Sequence, residues 1–442
     1  MKFPFLSKTS LWSGLSPLGQ RMETPKGIFY WSARAKTEAE IDGTIGIAQD
    51  DDGTISHIAV AEPWAGEKVM QRVPKGKIFG YAPIEGVESL RKKWLAKILK
   101  THGELANFAT MPVVTNGITH SLALASRLLL ESGQTLITAD KSWENYEHIF
   151  TDVQGVKIAT FPLFTNGVLH VDALIGACRE IAQMQKKVVL LLNFPHNQTG
   201  FMPSHEEAKE LGQRIQDLCR EMPKVSFAVL LDDAYEGYVY DEIGQKTSLL
   251  SEIFAPLPNL AIGKMDGISK VMMAYGYRVG FLTFFMSALD GKPFTGEFLS
   301  GIRGEMGTKI GGFIRGEISQ ANHHGQILAD ALMDDLATVE AQRGEIIERL
   351  SDRWKATILA LNEGYKKYGK QKLWADPCNG GFFAYLNLEK GVDAKEIAEK
   401  LLAEKKVGVV PSQQGFRVAF CGIQKEKIPP MIQRIFEVVY SS

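Results

Sequence analysis

Cysteine is scarce in this 442-residue chain: Cys178, Cys219, Cys378 and Cys421 lie far apart, and no two have CxxC spacing. That excludes a disulfide framework and a cysteine-based zinc site, and it fits a reducing compartment. Charge of one sign is not in excess either. Fifty basic against 51 acidic side chains leave a net charge of −1, whereas a nucleic-acid partner favours a basic surplus or stripe. The basic runs present, Arg91-Lys92-Lys93 and Lys186-Lys187, adjoin apolar residues and read as solvated element ends. No window approaches the ~18 apolar residues of a membrane span. The N-terminal run, Met1 to Lys8, breaks its apolar stretch too early for a signal-peptide core. No GxGxxG follows the first strand, which argues against a nicotinamide-dependent dehydrogenase. The expectation is a cytoplasmic protein with no nucleic-acid, membrane or metal partner.

The remaining composition is ordinary, with 45% hydrophobic, 10% aromatic and 23% charged residues, so disorder and low-complexity scaffolds are excluded. The length allows two or three domains. Apolar residues at helical spacing run from Val87 to Lys100 and from Ile118 to Leu130, with Gly133 as a stop. Short apolar runs at Val113 to Thr115, Thr135 to Thr138, Val156 to Phe161, Val188 to Leu192, Phe227 to Leu231, Leu260 to Gly263 and Val279 to Phe285 read as buried strands. Ser204-His205-Glu206-Glu207 is a capping box opening a helix to about Cys219. This alternation predicts an α/β fold with a parallel sheet covered on both faces. After about residue 326 a long charged helix, Ala329 to about Glu363, precedes strands at Phe382 to Leu388 and Phe416 to Cys421 and a last helix at Ile428 to Tyr440. That texture predicts a smaller α+β domain. The expected division is 60–325 for the large domain, with 1–59 and 326–442 forming the small one.

Polar clusters fall where strands end, which is where parallel sheets collect ligands. Lys270, in Ile268-Ser269-Lys270, precedes Arg278 by eight positions. A lysine partly desolvated beside a cation has a lowered pKa and can form a Schiff base, while an arginine offers a fork to phosphate. Asp232-Asp233-Ala234-Tyr235 closes an apolar strand. Alternation sends its two aspartates to opposite sides, so one of them faces a shared site. A buried aspartate needs a cationic partner, such as a protonated pyridine nitrogen. Asn116-Gly117-Ile118-Thr119 opens a helix whose free N–H groups suit an anion. Trp143 is placed to stack on a flat heteroaromatic ring. Asn193 to Gly200 reads by itself as a plain strand-to-helix turn.

The order and spacing of these motifs, from about Thr44 to Cys421, resemble the class I pyridoxal-phosphate aminotransferases of fold type I. The resemblance implies a large domain with a mostly parallel seven-stranded sheet between helices, pyridoxal 5'-phosphate as cofactor, and amino-group transfer from an L-amino acid to a 2-oxo acid such as 2-oxoglutarate. It implies that Lys270 is the Schiff-base lysine and proton shuttle and that Asp232 faces the pyridine nitrogen. By the same likeness Tyr235 and Asn197 bond the ring hydroxyl, Trp143 stacks on the ring, and Gly117, Ile118, Thr119, Ser269 and Arg278 cup the phosphate. Arg417 is similar to the arginine that binds the α-carboxylate, and Gly46 lies in the segment that closes over substrate. Tyr81, in Gly80-Tyr81-Ala82-Pro83, resembles the tyrosine that reaches the phosphate of a neighbouring subunit, which implies a homodimer. Arg315, with Arg303 as competitor, is similar to an arginine for a distal carboxylate. Two departures stand out. Gln198 replaces a usual proline, which should loosen that turn. Gly267 replaces a usual serine or threonine, for which Ser269 or Thr119 compensates. Phe29, Tyr30 and Trp31 offer an aromatic lining for a larger substrate side chain. A β-lyase, decarboxylase or synthase of the same fold remains the alternative, and an aminotransferase-like ligand sensor is disfavoured because the motifs start at about Thr44.

Overall fold

The structure is a computed structural model that describes residues 3–24, 27–412 and 414–441; Met1 and Lys2 of the N-terminal run lie outside the described residues. Its main sheet has seven strands: β1 (Val113–Thr115), β2 (Thr135–Ala139), β3 (Lys157–Phe161), β4 (Lys187–Asn193), β5 (Ser226–Asp232), β6 (Leu260–Gly267) and β7 (Gly280–Met286). Their order across the sheet is β1-β7-β6-β5-β4-β2-β3. The β3-β2-β4-β5-β6 block is parallel, whereas β7 runs antiparallel to both β6 and β1. β4 and β5 are runs of Val, Leu, Ala and Phe buried on both faces, as strands sandwiched between helices must be. The helix opened by Ser204 has the expected capping box and runs His205–Glu221, slightly past Cys219.

The long charged helix is two helices, His323–Met333 and Leu336–Tyr368. The break falls at Asp334 and Asp335, both poor helix formers, and Lys93 draws Asp334 aside with a 2.7 Å ion pair. A smaller antiparallel sheet contains β8 (Leu373–Ala375), β9 (Phe383–Leu388), β10 (Val410–Ser412) and β11 (Gly415–Ala419) in the order β8-β9-β11-β10. Near the amino end, helix Gly27–Glu38 buries Trp31 and Ala35, and Trp31 joins the core beneath this second sheet. Ile41–Asp42 pairs in parallel with Val407–Gly408. Helix Leu336–Tyr368 reaches both cores, contributing Val339, Ile346 and Leu350 to one and Ala360 and Leu361 to the other. From its midpoint Arg349 pairs with Asp50, and buried Arg353 reaches Asp51 at 2.7 Å.

Alternation at the end of β5 separates its two aspartates. Asp233 turns away from the cavity lined by Asp232 and ion-pairs with buried Lys264 of β6. Glu236 lies 2.9 Å from the same ammonium and Asp266 3.7 Å from it. Ser248 donates to Asp233 at 2.7 Å and the Trp94 indole to Asp266 at 2.9 Å. Trp94 is stacked on Phe281 with ring centroids 4.0 Å apart. Removing the one cation would strand several carboxylates in a dry interior, a loss of the kind that costs about 3–5 kcal/mol. Lys264→Met is expected to lower the unfolding free energy by about that amount in urea denaturation.

Candidate active site

A cavity of about 600 Å³ opens where β4, β5 and β6 end, with helix Gly27–Glu38 contributing part of its wall. Register sets its floor: Asn193 of β4 pairs with Asp232 of β5, and β6 runs on two residues beyond Met265, the partner of Asp232. After Gly267 the chain makes one helical turn, Ile268–Val271, which carries Lys270 into the cavity with Nζ 4.8 Å from the centroid of the Tyr235 ring. Burial lowers the Lys270 pKa to about 8; Asp232 opposes that shift and Arg278 adds to it. Asp232 is buried and accepts from the Tyr146 hydroxyl at 2.6 Å and from the Ala234 N–H at 3.3 Å. Burial nonetheless holds its pKa above the ordinary carboxylate value, against the Tyr146 bond and the Lys270 charge.

Asn193 ties the neighbouring turn down. Its Nδ2 donates to the Asp232 carbonyl and its Oδ1 accepts from the Asn197 N–H, both at 2.7 Å. Asn197 Nδ2 then lies 3.5 Å from the Tyr235 hydroxyl, and its Oδ1 accepts from Arg417 Nη1 at 3.2 Å. Arg417, on β11, also donates to the Thr44 carbonyl at 3.2 Å and lies 4.1 Å above the Phe383 ring. Its buried Nε has no hydrogen-bond partner. Gly46 packs so closely that a Cβ there would sit 2.7 Å from Phe383. On the opposite side Gly117, at φ +80°, precedes helix Ile118–Leu129, and a Cβ on it would lie 2.4 Å from the Arg278 guanidinium. The opening turn of that helix, with Ser269 and Arg278, is thereby left as a cradle of donors. Trp143 lines the cavity with its edge against Tyr146.

The structure therefore brings together Lys270, Asp232, Tyr235, Asn197, Trp143, Ile118, Thr119, Ser269, Arg278, Gly46 and Arg417, with Gly117 beside Arg278. Three expected residues are not among the lining of this chain's cavity. Tyr81 is 88% exposed at the surface. Arg315 bonds Ser319 in an exposed setting, and Arg303 is spent on the carbonyls of Ala109 and Ala106. The expected distal arginine is thus corrected: neither candidate supplies a cation here. Trp31 is a core residue and Tyr30 lies outside, so of the aromatic trio Phe29 alone lines the cavity.

The turn at Gln198 is not loosened, because the Gln198 amide donates to the Ser142 carbonyl at 3.2 Å and links it to the Trp143 loop. At Gly267 a Cβ would come within 2.7 Å of the Val279 carbonyl, which is why no serine or threonine fits. Sequence reasoning missed Tyr146, whose role depends on a partner 86 positions away. It also missed Ile28, Ser32 and Lys36, although their spacing of four was a readable sign of a shared helix face.

Residues 50–435 match the family model for aminotransferases of class I and II. The probable aspartate/prephenate aminotransferase of Rickettsia bellii is 29% identical over 204 residues, 46% of this chain and 47% of that one, so the match spans about half of that relative. Aromatic-amino-acid aminotransferase 2 of Thermococcus litoralis is 25% identical over 373 residues, 83% of this chain and 82% of its own. The crystal structure of an aminotransferase from Anaerococcus prevotii has the same fold, with a TM-score of 0.80 at 24% identity over 96% of this chain and 99% of that one. The chain belongs to the class I and II aminotransferases and is a pyridoxal-phosphate-dependent transaminase.

The cavity suits that cofactor on its own terms. A buried carboxylate whose charged form is penalised by burial matches a protonated ring nitrogen. The cradle between Gly117 and Arg278 matches a phosphate. In cofactor-free protein the buried Lys270 ammonium costs stability at neutral pH. Its folded pKa lies below the unfolded value, so stability rises as pH climbs from about 8 toward 10. Apo Lys270→Met is therefore expected to be more stable than the parent by about 1–3 kcal/mol at pH 7, with the gap closing by pH 10. Urea unfolding across that range measures it.

Proposed function

We propose that this enzyme moves the amino group of an L-amino acid to a 2-oxo acid, 2-oxoglutarate in this reading, by a ping-pong mechanism. The observation that carries the proposal is the meeting, in one cavity, of a low-pKa lysine, a buried aspartate and a buried arginine with an unpartnered N–H. Bound pyridoxal phosphate supplies an electron sink conjugated to the substrate Cα. In this reading Asp232 keeps the ring nitrogen protonated, and Tyr146 and Asn193 hold Asp232 in place. Tyr235 and Asn197 bond the ring hydroxyl, and Trp143 covers the ring face. The Gly117 and Ile118 N–H groups, Thr119, Ser269 and Arg278 take the phosphate.

Arg417 receives the substrate α-carboxylate through a two-pronged contact that orients the bonds at Cα, with Asn197 steadying the guanidinium. The segment around Gly46 closes the cavity from the amino-terminal side. Lys270 takes the proton from Cα and returns it; a pKa near 8 leaves a usable share of free amine at mildly alkaline pH. Four free thiols accord with a reducing, cytoplasmic setting.

Lys270→Ala is expected to fold and to lose turnover by several orders of magnitude. The parent is expected to form one 2-oxo acid per amino group transferred, measured by chromatography of both products. Ammonia or carbon dioxide as the stoichiometric product would instead assign a lyase or a decarboxylase.

The site is also proposed to draw on a second copy of the chain, with Tyr81 reaching the neighbour's phosphate. Phe79, Tyr81 and Ile84 are exposed together, an apolar patch suited to an isologous contact. Sedimentation at assay concentration is expected to give a dimer; a fully active monomer contradicts it.

A further inference from the structure

Resting on the transaminase reading, one cation of the cavity still lacks a task. Lys270, Arg278 and Arg417 have theirs, which leaves Lys36. It stands on helix Gly27–Glu38, where Ile28, Ser32 and Lys36 follow one another at intervals of four and face the cavity. Trp31 and Ala35 on the other side are buried, so this orientation is fixed by packing. Two further ties hold the helix. Glu144 accepts from the Ile28 N–H at 2.9 Å, and Arg34 pairs with Glu399 at 2.7 Å. The Lys36 ammonium has no hydrogen-bond or ion-pair partner among the described residues. Around it the cavity offers Ser32, Gln49, Ile47 and Ile55, a setting less polar than open water.

The helix has a direction that matters. Ile28 also lines, with Arg417, an adjoining cavity of about 490 Å³, so the amino end of the helix lies near the α-carboxylate position. Lys36 stands eight residues on, about 12 Å along the axis. A short diacid and an extended lysine side chain together bridge that distance. We propose that Lys36 receives the distal carboxylate of a dicarboxylic 2-oxo acid, the task for which neither Arg315 nor Arg303 is placed in this chain's cavity.

The test loads the enzyme with pyridoxamine phosphate and compares kcat/KM for 2-oxoglutarate with that for an apolar 2-oxo acid of similar length, 2-oxohexanoate. The ratio of the two is expected to fall at least threefold in Lys36→Met and to recover in Lys36→Arg; a smaller fall, or no recovery, overturns the assignment. A parent that aminates only the apolar acid overturns it as well. If the parent aminates neither acid, the transaminase reading of the cavity falls and the assignment with it.

Discussion

Asp232 is a carboxylate in a place that disfavours its charge. It sits at the end of an apolar strand, and one hydroxyl and one backbone N–H are what the protein offers it. A heterocycle that carries a proton opposite this side chain relieves the penalty, and the relief is mutual, because the carboxylate keeps that proton in place. The rest of the site is arranged around this need. Asn193 fixes the Asp232 carbonyl and the Asn197 turn at once, so the groups meant for the ring and the group that steadies Arg417 share a single support. The sheet uses the neighbouring position to opposite effect. Asp233 is fully paired beneath the strand, and the same alternation that exposes one aspartate to the ligand neutralises the other.

Helix Gly27–Glu38 divides its labour in a comparable way. One face secures the fold through Trp31 and Ala35, and the other presents Ile28, Ser32 and Lys36 to the cavity. A change on the second face can alter which substrate is held without disturbing the packing of the first.

Much of this was legible in the sequence because strand ends are local events. Apolar runs ending in Asn, Asp or Gly marked β4, β5 and β6, and the residues just after them fall in the cavity. The capping box at Ser204 is likewise a contract among four neighbours, and it holds. What was not legible depended on distant partners. Tyr146 is an ordinary aromatic until β5 brings Asp232 beside it. Gln198 looked like a loosened turn because the Ser142 carbonyl that ties it lies 56 residues earlier. Arg315 matched a local pattern, but the direction its helix faces is a tertiary fact.

The rod from Leu336 to Tyr368 is rooted at one end in the main core and at the other in the core beneath the second sheet. Its central arginines grip Asp50 and Asp51, a few residues beyond the stretch that roofs the cavity. The roof is thus moored to a stiff spar instead of hanging from a loose tail. It can swing over an arriving molecule like a gate on a post, and the mooring sets how far the gate opens.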